Sequence, residues 1–184
     1  MNSHLRWAGI VLAAWFAVTA IASVAGAQAP QTPQSNEDEY VDIDGGRNPE
    51  LIPQWLVWET SFRTLAIARR EGSVEIPATI GLSDADLEAV IAEAEKQSAR
   101  DDECIARVER LRPMVGRAKV EVINERTAAI QLECRAATLQ ARDRLFRVLS
   151  PEDTTLLIGW VTERKRGIQV RIRPAELAHF RRPE

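Results

Sequence analysis

An all-α protein of about four helices, folded as an antiparallel helical hairpin or bundle behind a disordered N-terminal lead, follows from three features of this 184-residue sequence. Apolar residues recur at steps of three and four over long stretches, the pattern of a single buried helix face. Helix-start signals stand at Asn48-Pro49-Glu50, Leu82-Ser83-Asp84-Ala85-Asp86 and Leu149-Ser150-Pro151-Glu152-Asp153, where short polar side chains can cap the first N–H groups. Between them and the N-terminus lies Gln28 to Asn36, a polar, proline-bearing tract without the apolar surface to fold alone.

The chain opens with Arg6 in a polar start, an uncharged apolar run from Trp7, and small residues ending in Ala25-Gly26-Ala27. That order predicts an export signal over residues 1–27, cleaved after Ala27, and a periplasmic or secreted chain. An N-terminal membrane anchor is the alternative, because an uncharged run of about 20 residues can cross a bilayer. Residues 28–47 are expected to form a disordered acidic linker, in which Glu37, Asp38, Glu39, Asp42 and Asp44 face only Arg47. Asp42 and Asp44 alternate as in a calcium loop, but Gly46 stands in the third ligand's place, Arg47 in the turn glycine's, and no glutamate closes the loop.

A helical domain is expected over 48–173 and a flexible basic tail over 174–184. Its first helix is read from the Asn48 cap, with Pro49 at the first helical position, to about Arg70. Leu51, Trp55, Trp58, Phe62 and Leu65 form its buried stripe, and tryptophans at that spacing read as core and not as a groove. Glu71-Gly72 ends this helix, and Pro77 is expected to keep the next segment extended.

The second helix starts at Ser83 and carries Leu87, Ile91, Ala94, Ser98, Ile105, Val108 and Leu111 on one face, broken by Asp101. Pro113 and Gly116 punctuate the chain before the longest periodic stretch, from about Val115 to Val148, with Val120, Ile123, Thr127, Ile130, Cys134, Ala137, Ala141, Leu145 and Val148 in step. If the chain reverses between Pro113 and Gly116, Cys104 and Cys134 lie on antiparallel neighbours but at unequal distances from the turn. Two cysteines without a C-x-x-C, in a chain read as exported, predict a Cys104–Cys134 disulfide, with separate buried thiols as the alternative.

The last helix starts at Ser150, uses Leu156, Leu157, Trp160 and Val161 as its apolar side, and ends in Arg164-Lys165-Arg166 before Gly167. Ile168 to Arg173 then alternates apolar with polar residues. Tyr40 to Asp44 alternates too, with acids where the later segment has arginines, so a two-stranded pairing of the two ends is open.

No catalytic residue, metal or cofactor is expected. Beyond the leader His179 is the single histidine and sits in the tail, which leaves a serine–histidine–acid triad or a zinc site without a held imidazole. The sequence has no G-x-G-x-x-G, P-loop or G-x-S-x-G. Asp101-Asp102-Glu103 reads as a solvated face, since adjacent acids on a helix point apart. The candidate binding residues are basic: Arg164, Lys165, Arg166, Arg171 and Arg173, followed by Arg181 and Arg182. Outside the cytoplasm such a cluster suits an anionic membrane surface or an acidic polymer and not nucleic acid. It could equally serve as an internal partner for the acidic linker.

An export signal, a polar tether, about four helices and two Leu-Ser-x-x-Asp helix starts resemble the periplasmic adaptor and chaperone group known for repeated Leu-Thr-x-x-Gln motifs. Leu82, Ser83 and Asp86, then Leu149, Ser150 and Asp153, carry the resemblance, with serine for threonine and aspartate for glutamine in both copies. It implies a bent, often dimeric helical cradle that binds a protein client or envelope partner without ATP.

Overall fold

Pro53 decides where the first long helix begins. Proline has no N–H to place in a helical ladder and pushes the residue before it out of the α region. Ile52 is accordingly extended at φ −83°, ψ 114°, so Pro49–Leu51 forms a lone 3-10 turn and α1 runs from Gln54 to Arg70. The start expected at Asn48 is thereby corrected, and the Asn48 side chain makes no cap.

The computed structural model describes residues 40–73, 75–116, 119–172, Pro174 and Phe180. The signal read over 1–27, the lead before Tyr40, and Arg173, His179, Arg181 and Arg182 lie outside the described residues. Within them the order is β1 (Val41–Asp44), α1, a one-turn α2 (Glu75–Ala78), α3 (Asp84–Glu109), α4 (Val120–Val148), α5 (Pro151–Arg164) and β2 (Gln169–Ile172). Four long helices and one small sheet make this the all-α architecture read from the periodicity. The extended segment expected at Pro77 is instead α2, which accepts a proline because N–H groups of a first turn have no helical partner.

α1 is the central helix, packed against α3, α4 and α5. Its buried set, Leu56, Val57, Trp58, Ser61, Phe62, Leu65, Ala66 and Ala68, is wider than the single stripe expected, because neighbours cover it on several sides. Trp58 lies 5.5 Å, centroid to centroid, from both Phe62 and Phe146 of α4, and these rings join the first half of α1 to the last turn of α4.

α3 and α4 form an antiparallel hairpin whose register is fixed by four cross-links: Glu93 to Arg144, Gln97 to Thr138, Cys104 to Cys134, and Arg107 to Glu133. Cys104 and Cys134 are joined as a disulfide, with Cα atoms 6.4 Å apart. The turn is not the short one expected at Pro113 to Gly116. It spans everything from Arg110 to Lys119, with a 3-10 turn at Arg112–Met114 and Gly116 at φ +81°, a left-handed backbone that ends helical continuation there. α4 therefore starts at Val120 and not near Val115. Cys104 lies close to the end of α3 and Cys134 well inside α4, and the long turn takes up that inequality.

The two ends of the described chain pair as an antiparallel ladder, Val41 with Ile172, Asp42 with Arg171, Ile43 with Val170 and Asp44 with Gln169. Alternation buries Ile43, Val170 and Ile172 against the helices. The linker expected to be disordered over 28–47 is thus corrected at its C-terminal end: from Val41 it is part of the fold. Gly45 donates its N–H to the Ile168 carbonyl at 2.8 Å, and Asp44 accepts from the Gly46 N–H at 2.8 Å, so the stretch that mimicked a calcium loop is a side-chain-closed turn. The tail expected to be flexible over 174–184 is corrected at Phe180, which is buried edge-on to the Trp55 ring at 6.0 Å because an aromatic ring gains more from the core than from water.

Candidate functional site

The two Leu-Ser-x-x-Asp motifs meet in space. Each serine caps its own helix in the expected way, Ser83 Oγ accepting from Asp86 N–H at 3.3 Å and Ser150 Oγ from Asp153 N–H at 3.1 Å. In a capping box the acid then reaches back to its own cap residue. Here each reaches across. Asp153 accepts from the N–H of Ser83 at 3.2 Å and from its hydroxyl at 2.9 Å, while Asp86 accepts from the Ser150 N–H at 3.1 Å. The exchange locks the starts of α3 and α5 together, and the Ser83 hydroxyl, foremost among these donors, lowers the Asp153 carboxyl below its ordinary value. This is a structural clasp and leaves the other end of the α3–α4 hairpin to face solvent.

At that other end the hairpin outruns the body. Cys104 is the last buried residue of α3, and before Thr138 the only buried residue of α4 is Ile123. α1 begins at the same level, where the Arg135 guanidinium lies 4.3 Å over the Trp55 ring. Residues 105–133 therefore form a two-helix arm closed at its base by the disulfide. Four of the eight exposed large apolar side chains among the described residues are on it: Val115, Val120 (56% exposed), Val122 and Leu132 (48%). Charges of both signs surround them, including the Arg107–Glu133 pair at 2.6 Å and Arg112–Glu109 at 3.2 Å.

Just inside the base, α1, α3 and α4 share a polar layer. Asp101, 2% exposed, accepts from Gln97 Nε2 at 2.8 Å, and the same amide nitrogen contacts Thr138 Oγ1 at 3.1 Å. Thr138 in turn donates to the Cys134 carbonyl at 3.2 Å. Burial raises the Asp101 carboxyl to about 6, against a hydrogen bond from Gln97 that favours its charge. Burial, then the negative charge of Asp101, raises Glu59 of α1 to about 7, while Arg63 and Arg135 oppose the rise. Arg135 is lowered by its own burial.

Of the basic residues read as a binding cluster, Arg164, Arg166 and Arg171 have partners within the chain, and Arg166 and Arg171 keep most of their side-chain surface open. Arg164 is half-buried, donates to Thr64 Oγ1 at 2.6 Å and stacks 4.8 Å over Trp160, so it ties α5 to α1. Arg166 pairs with Glu163 at 3.1 Å. Arg171 makes two bonds to Asp42, at 2.8 and 3.3 Å, across the ladder, which is the internal pairing of the acidic segment with the basic end. Lys165 sits in the 3-10 turn Lys165–Gly167 that crosses over Gly45, and Arg173 lies outside the described residues.

Protein-family models, curated proteins and solved structures offer no match to the chain. The reading of this site therefore rests on its own geometry. Among the described residues no cluster of three or more histidine, cysteine, aspartate or glutamate side chains is placed to hold a metal ion, and no helix is long and apolar enough to cross a membrane. Sequence reasoning missed the polar layer. Asp101 interrupting an apolar step was its signal, but Asp101-Asp102-Glu103 read as a solvated run; the structure corrects this for Asp101 alone, whereas Asp102 and Glu103 are exposed.

Proposed function

We propose that this is an exported helical binding protein that works without catalysis, as a periplasmic chaperone or envelope-stress adaptor, and that the disulfide-based arm is its binding element. The observation that supports this most is the display of Val115, Val120, Val122 and Leu132 on a projecting hairpin in place of burial in the body. Apolar side chains left outside on a stapled scaffold favour apolar segments of a partner, and interspersed charges of both signs favour no one partner charge. The twin motifs that carry the resemblance to the Leu-Thr-x-x-Gln group also meet in one clasp, at the starts of α3 and α5.

The test is aggregation of a reduced, unfolding client protein with an equimolar amount of residues 28–184 and no nucleotide. Suppression that is lost in a Val115→Ser, Val120→Ser, Leu132→Ser variant of unchanged helicity is the expected result. No suppression by the unaltered chain refutes the chaperone reading.

A further inference from the structure

Where the arm joins the body, buried polar atoms of α1 and α3 are left without hydrogen-bond partners. Asp101 Oδ1 is bonded to Gln97, but the buried Asp101 Oδ2 has no hydrogen-bond partner, and neither has Gln97 Oε1. The charges of Asp101, Arg63 and Arg135 act on Glu59 of α1, and those of Arg63 and Asp102 act on Asp101 of α3. Arg63 is 3.8 Å from Asp102 and one of its nitrogens is buried without a hydrogen bond. Arg135 is drawn toward the Trp55 ring.

We propose that Glu59 and Asp101 form a proton-operated joint that holds α1 firmly against the base of the arm when the pair carries a proton and loosens that contact when both are ionised. A proton on either carboxyl converts a bare acceptor into a donor and removes like-charge repulsion across the α1–α3 contact. Without it, the ionised Asp101 keeps one oxygen buried and unpartnered beside a second negative charge, and the low dielectric that strengthens paired groups makes that oxygen costly. The layer is one helical turn from each half of the disulfide, through Asp101 to Cys104 and Thr138 to Cys134, so a change in its packing acts where the arm is anchored. The upward displacement of both acids, to about 6 and about 7, sets the operating range near neutrality. The joint does not depend on what the arm binds.

Hydrogen exchange of the full chain at pH 5 and pH 8, corrected for intrinsic exchange, tests this through peptides covering Gln54–Arg70 and residues 97–104. Protection there is expected to fall about tenfold on going to pH 8, the change in an opening constant that one displaced proton equilibrium supplies. Glu59→Gln with Asp101→Asn should remove most of that fall, and Glu88→Gln, an exposed acid of the same helix paired with Arg69, should leave it in place. Equal corrected protection at the two pH values in the unaltered chain overturns the proposal, whatever the variants do. So does a double variant that still loses protection as the unaltered chain does.

Discussion

The carboxylate of Asp153 accepts both the backbone N–H and the hydroxyl of Ser83, 70 residues earlier in the chain. Two helix starts that look independent in sequence are in this way one unit: each serine satisfies its own helix and each aspartate satisfies the other's cap residue.

A double-mutant cycle measures that unit. Ser83→Ala is expected to cost about 1 kcal/mol, the usual loss for an N-cap serine. Asp153→Ala should cost more than Asp86→Ala, because Asp153 accepts two bonds from across the clasp and Asp86 one. Urea unfolding should give a non-additive Ser83/Asp153 pair. Strict additivity would show that the crossed bonds carry no energy.

Stability should pass through a maximum in mildly acidic solution. Asp153 is lowered by its Ser83 bonds, so its contribution is present above the unfolded value and is lost as pH falls. Glu59 and Asp101 are raised, so theirs is present below the unfolded value and is lost as pH rises toward about 7 and about 6. Thermal unfolding at pH 3, 5 and 8 should show both limbs, the alkaline one about 1 to 3 kcal/mol deep. Asp101→Asn should flatten the alkaline limb and Asp153→Asn the acid one. Equal stability at pH 5 and pH 8 would contradict the assignment.

Opening the Cys104–Cys134 bond frees a loop with a sequence separation of 30, for which chain entropy gives about 3 to 4 kcal/mol. Reduction, or the paired Cys→Ser change, should lower the midpoint of unfolding and raise exchange first within residues 105–133. Uniform loosening of the whole body would argue against an arm based at the bond.

Phe180 fills a place at the start of α1 against Trp55. Phe180→Ala is expected to destabilise by about 3 kcal/mol, as for other buried aromatic truncations. A change below about 0.5 kcal/mol, the scale of surface substitutions, would place the ring outside the core.

Gly45 is a position without room for a side chain. A Cβ there would lie 1.9 Å from the Lys165 carbonyl oxygen, a backbone atom that cannot yield without opening the Lys165–Gly167 turn. Gly45→Ala should therefore loosen the β1–β2 ladder, read as exchange at Ile43 and Val170, while leaving α3 and α4 unchanged.

Helix identities were legible because spacing and caps are local signals: Ser83 and Ser150 start their helices as the sequence indicates, and α3 follows its periodicity, whereas α4 leaves Val120 and Val148 of its stripe exposed. What escaped depends, apart from the local effect of Pro53, on contacts the motifs do not show by themselves. Pro53 overrode the Asn48 signal, since a proline inside a helix costs more than a cap returns. The crossed clasp could not be read from either motif alone, because each is a complete capping box by itself. Asp101 resembled its solvated neighbours Asp102 and Glu103, and only the approach of Gln97, Thr138 and Glu59 distinguishes it. The pairing of Arg171 within the chain could not be read locally, because Asp42, its partner, lies 129 residues away.

The ladder at the chain ends also has a mechanical consequence. Val41 and Ile172 are opposite each other at the outer end of an antiparallel pair, so tension between the segments that precede one and follow the other pulls on a single rung at a time. Such a load peels the strands apart as a zipper does, from Val41–Ile172 toward Asp44–Gln169, and reaches the helices only after the last rung has parted. Phe180, seated against Trp55 beyond Ile172, has to leave the core before that load reaches the ladder. A molecule held at one end and pulled by a partner at the other would therefore yield at Phe180 and then at the rungs, with the clasp, the polar layer and the stapled arm still assembled.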